Sequence, residues 1–367
     1  MRHPASRPEP DFADAEASVP PGIALAIGTL PHQDPDRALE IMLQACPEAP
    51  CWPQLPSRGF QETMIAQFAE GVPCVRIDRE GRRIFLVRPE QHLEEVTSFY
   101  EAQLGAEQSG DLSAFALSPG YARGFHAFVE RLSGRADDKP PFVKGQVTGP
   151  LTFGLSLLDE QGLPALYDPT LSDVVRKSIL MKGRWQLERL RPLAEKTILF
   201  VDEPILASFG SAALISLSRE QAVAHLREIF SALRAAGALV GSHCCGNTDW
   251  SLLIEAGVEI INFDAFLYRE SLGLYADSVA RFLGGGGLLA WGMVPSESRY
   301  QGHAAEELLA LLEQGIRALA AKGVPEALLR RNLVITTSCG LGTLKEPEAE
   351  AAMETLKRLS ELVRERL

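Results

Sequence analysis

The sequence predicts an α/β protein built as a (β/α)8 TIM barrel. Three observations lead there. Eight short apolar, β-branched runs alternate with longer helical patterns along the chain. Most of these runs lack the strict polar–apolar alternation of a half-exposed strand, as expected of a parallel sheet covered on both faces. Residues with reactive side chains recur at the ends of the runs, and a barrel gathers those ends at one mouth. An open doubly wound sheet is the alternative architecture.

Taken in order, residues 1–21 are rich in Pro, Ala and acid and hold no apolar stretch. They read as a flexible leader and not as a secretory signal. A single catalytic barrel is expected over 22–367. Strand one is LAIGTL from Leu25, followed by the helix DPDRALEIMLQAC with an Asp cap and a first-turn Pro. Strand two is CWPQL from Cys51. After it, PCVRIDREGRRIFLV reads as a hairpin turning at Glu80-Gly81, and residues 89–135 as extra helices. Both are insertions into the barrel. Strand three is FVKGQV from Phe142 and strand four ILFVDE from Ile198. The helix REQAVAHLREIFSALRAAG stops at a glycine before strand five, LVGSHC from Leu239. Strand six is IINFDA from Ile260. The run Gly284–Gly287 lies after a helix and before strand seven, LLAWGM from Leu288. A phosphate cradle needs the reverse order, so this run reads as a turn on the face opposite the mouth. The helix AAEELLALLEQGIRALAAKG precedes strand eight, LVITTS from Leu333. The last segment, EPEAEAAMETLKRLSELVRERL, is a long amphipathic helix with basic residues near its end.

The chain has 367 residues, 46% apolar and 23% charged, which suits a globular protein with a large core. Its 48 acidic and 36 basic residues give a net charge of −12 with no concentrated Lys/Arg stripe, so a nucleic-acid surface is not expected. No apolar run approaches the roughly 18–20 residues of a membrane helix. The expected location is the cytoplasm, where thiols stay reduced and cysteines more often bind metals or react than form disulfides. Of the six cysteines, Cys46, Cys51 and Cys74 share no metal-ligand spacing and read as small apolar residues.

The remaining three sit at predicted strand ends. Thr29 ends strand one, Asp202 and Glu203 end strand four, His243-Cys244-Cys245 end strand five, Asp264 ends strand six and Cys339 ends strand eight. His243 and Cys245, two residues apart on a strand, project to one side, and Cys244 to the other. With Cys339 they make three nitrogen and sulfur donors, a set that suits Zn²⁺. Asp264 offers a fourth, oxygen ligand, or leaves that position open as in catalytic zinc sites. The other readings are a pair of core thiols, a Cys244–Cys245 disulfide, and a cysteine nucleophile with His243 as base. Asp202 is placed to bind an ammonium or accept a proton, unless it and Glu203 form salt bridges or cap the next helix. Gln146 and Thr148 either face the pocket or serve turn chemistry, and His32 either lines the pocket or caps a helix.

Together the motifs IGTLPH, VTGPLT, VDEP, SHCCGN and SCGLGT, spanning about Gly22 to the C-terminus, resemble the catalytic barrel of the cobalamin-independent methionine synthases. The wider group includes corrinoid-dependent methyltransferases and uroporphyrinogen decarboxylase. The resemblance implies zinc on His243, Cys245 and Cys339. That family completes the shell with a strand-six glutamate, where this chain has Asp264. It also implies that Asp202 grips the amino group of homocysteine and Thr29 helps place its carboxylate, with Glu203 of the same DEP motif in the substrate-binding set. No protein nucleophile is required. The chain departs from the family in three ways. It has no room for the second barrel that helps bind folate, it lacks the strand-seven histidine in LAWGMVP, and Arg58 and Glu62 stand where a pocket glutamate is sought. The expected function is therefore zinc-dependent methyl transfer to a thiol, homocysteine giving methionine, with a methylated corrinoid on a partner protein as donor in place of methyl-folate. The alternatives are another thiol acceptor such as coenzyme M, a uroporphyrinogen decarboxylase-like enzyme, or a zinc-binding barrel acting as a partner protein without turnover.

Overall fold

The computed structural model describes residues 19–135, 138–211, 214 and 216–367. All but the last three residues of the predicted leader lie outside that range. In chain order the described elements are β1 (Ala24–Leu25), α1 (Pro35–Ala45), α2 (Met64–Ala69), β2 (Val75–Asp78), β3 (Arg83–Leu86), α3 (Leu93–Ser109), α4 (Arg123–Ser133) and β4 (Phe142–Thr148). Then come α5 (Pro150–Ser156), α6 (Pro169–Leu190), β5 (Lys196–Asp202), α7 (Arg219–Ala235), β6 (Ala238–Cys244), α8 (Trp250–Ala256), β7 (Ile260–Phe263) and α9 (Ala265–Tyr268). The last are α10 (Ala276–Gly284), β8 (Leu288–Val294), α11 (Ala305–Ala321), α12 (Glu326–Arg331), β9 (Leu333–Thr337) and α13 (Glu346–Arg364).

Seven strands form one curled parallel sheet in the order β1-β9-β8-β7-β6-β5-β4. The predicted hairpin is the separate antiparallel pair β2-β3, whose turn is held by Asp78 Oδ1 accepting from Gly81 N at 2.8 Å. Side-chain caps hold several helix starts, the expected Asp cap of α1 among them. Asp34 accepts from Asp36 N at α1, Asp168 from Leu171 N at α6, and Ser218 with Gln221 makes a capping box at α7. The four-glycine run joins α10 to β8, as expected of a turn on the lower face.

Predicted strand two differs. Its segment makes only two isolated parallel bridges, Cys51 with Lys144 of β4 and Gln54 with Thr29, just past β1. Backbone bonds from Lys144 N to Pro50 O and from Gln54 N to Gly28 O, both 2.9 Å, accompany them. Pro50, Pro53 and Pro56 carry no N–H, so a continuous ladder cannot form here. The segment thus touches both edges of the sheet without being a regular strand.

The sheet separates two cores. One face gathers Leu25, Phe142, Ile198, Phe200, Ile260, Leu288, Ala290 and Val334 into a compact inner cluster. The other packs Val143, Leu199, Val201, Val240, Ile261, Phe263, Trp291 and Ile335 under the helices. Strand alternation extends both columns upward. The inner face continues from Ile198 and Phe200 to Asp202, from Ile260 to Asn262, and from Val334 to Thr336. The outer face continues from Leu199 and Val201 toward Glu203. An apolar floor therefore lies beneath a polar upper layer on the inner face. Among the described residues, no helix is long and apolar enough to cross a membrane.

Candidate metal centre

The polar upper layer is assembled by strand register. His243 lies across from Asn262 in the β6–β7 pairing, and Thr148 across from Asp202 in the β4–β5 pairing. The strand ends are also tied to one another, by Glu203 N donating to His243 O and Gly149 N to Asp202 O, both at 2.8 Å. Beyond β9 the chain turns through Ser338 and Cys339. Ser338 N donates to Val294 O at 2.7 Å, Ser296 N to Ser338 Oγ at 3.1 Å, and Thr337 Oγ1 to Cys339 O at 2.8 Å. Gly340 permits the next step, because a Cβ there would come within 2.8 Å of Thr29 Cβ.

This folding brings His243, Cys245 and Cys339 together, with one donor atom from each lying within 4.8 Å of the others. Ligands of a tetrahedral zinc, at about 2.0–2.3 Å from the ion, stand roughly 3.5–4 Å apart, so the group needs only a small contraction to close on a metal. His243 is buried, its Nδ1 bonds to Asn262 Oδ1, and its Nε2 has no hydrogen-bond partner among the described residues. An orphaned ring nitrogen beside two thiols fits a soft divalent cation. Cys339 and the His243 ring pull the Cys245 thiol well below its ordinary range, toward thiolate. Cys339, half-buried and facing that thiolate, is pushed up. Burial draws His243 down, but Cys245 and Asp202 beside it raise it on balance.

Cys244 faces the other way. It is fully buried in the outer core, its Sγ lies 3.6 Å from Gly246 O, and burial pushes its thiol to about 12. Cys46, Cys51 and Cys74 are buried free thiols with raised pKa values.

Asp202 stands on the inner face near this group. It is buried, and its Oδ1 has no partner among the described residues. Burial raises its pKa, while Lys144 and His243 oppose that shift. Lys144 is itself fully buried on β4, with Nζ donating to Ile27 O at 2.8 Å and Gln146 Oε1 at 3.2 Å and standing 4.6 Å from the Phe200 ring centre. Thr29 is half-buried against the Cys339 turn. It accepts from Leu341 N at 2.9 Å and donates through Oγ1 to Gln54 Oε1 at 3.1 Å.

Two residues expected at the site are engaged elsewhere. Glu203 lies on the outer side and accepts from Leu151 N at 2.8 Å, Thr152 N at 2.7 Å and Thr152 Oγ1 at 2.6 Å. Fully buried at the start of α5, it serves the fold, and no free oxygen remains for a substrate. Asp264 caps α9 through Oδ1, which accepts from Leu267 N at 2.9 Å, and it is not in the three-residue donor group. It is a charged neighbour of that group, pushed up to about 6 by burial. Of the undecided residues, Thr148 donates to Met64 O, Gln146 Nε2 to Trp52 O, and His32 pairs with Glu350 of α13. Glu62 pairs with Arg58 at 2.8 Å. Sequence reasoning missed Asn262 and Lys144, both polar residues at strand positions whose inward spacing could have revealed them.

No protein-family model and no curated protein matches the chain. Among solved structures it is similar to a methyltransferase from Methanosarcina mazei, with 12% identity over 94% of each chain and a TM-score of 0.48. It is also similar to a GH5-4 broad specificity endoglucanase from Clostrdium longisporum, with 12% identity, 68% of this chain and 91% of that chain covered, and a TM-score of 0.32. At these values neither similarity carries an argument about activity.

Proposed function

We propose that this chain is a zinc-dependent methyltransferase that moves a methyl group to a thiol, homocysteine giving methionine. The observation that carries the reading is the convergence of His243, Cys245 and Cys339, with an orphaned His243 Nε2, beside the unpartnered buried oxygen of Asp202. His243, Cys245 and Cys339 would hold the zinc, which would supply a Lewis acid to keep a substrate thiol deprotonated near neutral pH, where a free thiol of pKa about 8.5 is mostly protonated.

The chain's own residues do the rest. Asp202 Oδ1 accepts the substrate ammonium, whose charge offsets the burial that raises this carboxylate's pKa, an effect Lys144 and His243 oppose only in part. Thr29, next to the Cys339 turn, would help place the substrate carboxylate by turning its hydroxyl away from Gln54 Oε1. Held in line, the thiolate lone pair forms the S–CH₃ bond as the bond from methyl to its carrier breaks, and that electron pair stays on the carrier. The donor is methyl-folate or a methyl-corrinoid carried by a partner protein. The proposal includes a single barrel over 22–367, closed through the Cys51–Gln54 segment, in the cytoplasm, with no nucleic-acid or membrane partner.

A second reading draws support from Lys144, whose proximity lowers the Asp202 pKa in part while burial lowers its own. An acceptor without an ammonium, such as coenzyme M, would then suffice. Both are tested together. The purified protein is assayed for bound metal, then given homocysteine or coenzyme M with methylcobalamin or methyl-folate. Zinc near one equivalent and methionine formation are expected. An intact protein that takes up no zinc overturns the reading, and turnover with coenzyme M alone selects the second. Zinc uptake without methyl transfer to either thiol selects a metal-binding partner protein. Asp202→Asn is expected to raise KM for homocysteine at least tenfold, the loss of one charged hydrogen bond of about 1.5–3 kcal/mol, while zinc content is unchanged.

A further inference from the structure

We infer that Asn262 is the positioning residue of this metal centre, fixing the hydrogen on His243 Nδ1 and so leaving Nε2 as the donor. The inference deepens the zinc reading and rests on it for its consequence, though not for its geometry. Asn262 is fully buried on the inner face of β7, beside β6. Its Nδ2 donates to Ala290 O on β8 at 2.9 Å and to Thr336 Oγ1 on β9 at 2.7 Å. An amide turned the other way would set its oxygen against the Ala290 carbonyl oxygen, two acceptors with no hydrogen between them. The β8 backbone therefore dictates the orientation, and Oδ1 must face His243 Nδ1.

An amide oxygen only accepts. Nδ1 thus carries a hydrogen whether the ring is neutral or charged. In the neutral ring the lone pair then lies on Nε2, the buried nitrogen without a partner. A histidine metal ligand depends on such a partner at its other nitrogen, which sets both tautomer and ring orientation. Here one amide joins four consecutive strands, β6 to β9, and passes the register of the sheet to a single donor atom.

The test uses the full chain labelled with ¹⁵N. Ring-nitrogen NMR reports the His243 tautomer, and competition with a chelator reports zinc affinity. The wild type is expected to show a slowly exchanging Nδ1 hydrogen. Asn262→Leu is expected to lose that signal and bind zinc about 10- to 100-fold more weakly. Asn262→Asp keeps an acceptor for Nδ1 and is expected to retain the signal, even though it no longer donates to Ala290. That contrast separates ring positioning from the amide's bonds to the sheet. A folded Asn262→Leu with an unchanged ring signal and unchanged affinity overturns the inference. If the wild type binds no zinc, the metal reading falls and the ring signal alone decides Asn262. If Asn262→Leu does not fold, Thr336→Val removes one of the two anchors. Faster exchange of the Nδ1 hydrogen supports the inference, and unchanged exchange overturns it.

Discussion

Single residues divide by which face of a strand they occupy. Cys245→Ser is expected to abolish zinc binding and Cys244→Ser to keep it, read as metal content of the purified variants. The reverse outcome would mean that the facing of this segment is inverted. The same period-two geometry also explains what sequence reasoning got wrong. Applied to His243 and Cys245 it selected two residues and turned Cys244 away. Applied to Asp202 and Glu203 it would have sent Glu203 outward, where it holds the start of α5. Asn262 was legible as an inward polar residue but not in its role. A polar residue in an apolar strand announces a partner, but only side-chain orientation reveals that the partner is His243. Glu203 also yields a pH prediction. Burial raises it to about 7, against the opposing pull of its three donors, from an ordinary value of 4.5. The folded state then holds this proton more tightly than the unfolded chain. Stability from the group is fully present below about pH 4.5 and is lost as the pH rises through about 7, by on the order of 3 kcal/mol at most. Urea unfolding at pH 5 and pH 8, with chelator present, should show this loss in wild type and not in Glu203→Gln. Equal pH dependence in the two would refute it.

Whole elements were legible where periodicity and caps agreed and illegible where proline intervened. Helix α1 begins at the Asp cap the sequence marked, because a side-chain oxygen there satisfies a free backbone N–H group, whereas α6, capped by Asp168, was not foreseen. The segment at Cys51 has the apolar content of a strand, but its prolines reduce it to two bridges. Its seat depends on a neighbour instead. In α4, a Cβ on Gly124 would come within 1.8 Å of Pro53 O, so that helix packs directly on this segment's backbone. Gly124→Ala is therefore expected to destabilise the protein by about 1–3 kcal/mol, through overpacking against atoms that cannot rotate away. Gly105, in the middle of α3, has open space around its Cβ position. Gly105→Ala should stabilise by about 0.5–1 kcal/mol, through helix propensity alone. Denaturation midpoints compare the two, and equal effects would contradict this account of α4.

At the scale of the molecule, the sheet gathers residues from distant parts of the chain at one rim. This was the most legible feature, because a parallel sheet with helical crossovers sends every strand's C-terminal end the same way. Under the proposed zinc reading, metal binding is linked to folding. Zinc bound only by the folded chain raises stability by about 2.7 kcal/mol at a hundred times its dissociation constant. Thermal melting should therefore shift upward with zinc and downward with chelator, and Cys339→Ser should erase the shift. A zinc response that survives Cys339→Ser would place the metal elsewhere. The position of Cys339 has a further consequence, in time. It follows Cys245 by 94 residues, 339 less 245. At the ribosome's pace of about 5–20 residues per second, roughly 5–20 seconds separate the emergence of the two thiols. Through that interval a nascent chain offers His243 and Cys245 without their third partner. Cells would thus load the ion late in synthesis or after it, and a chain that stalls before β9 would retain none.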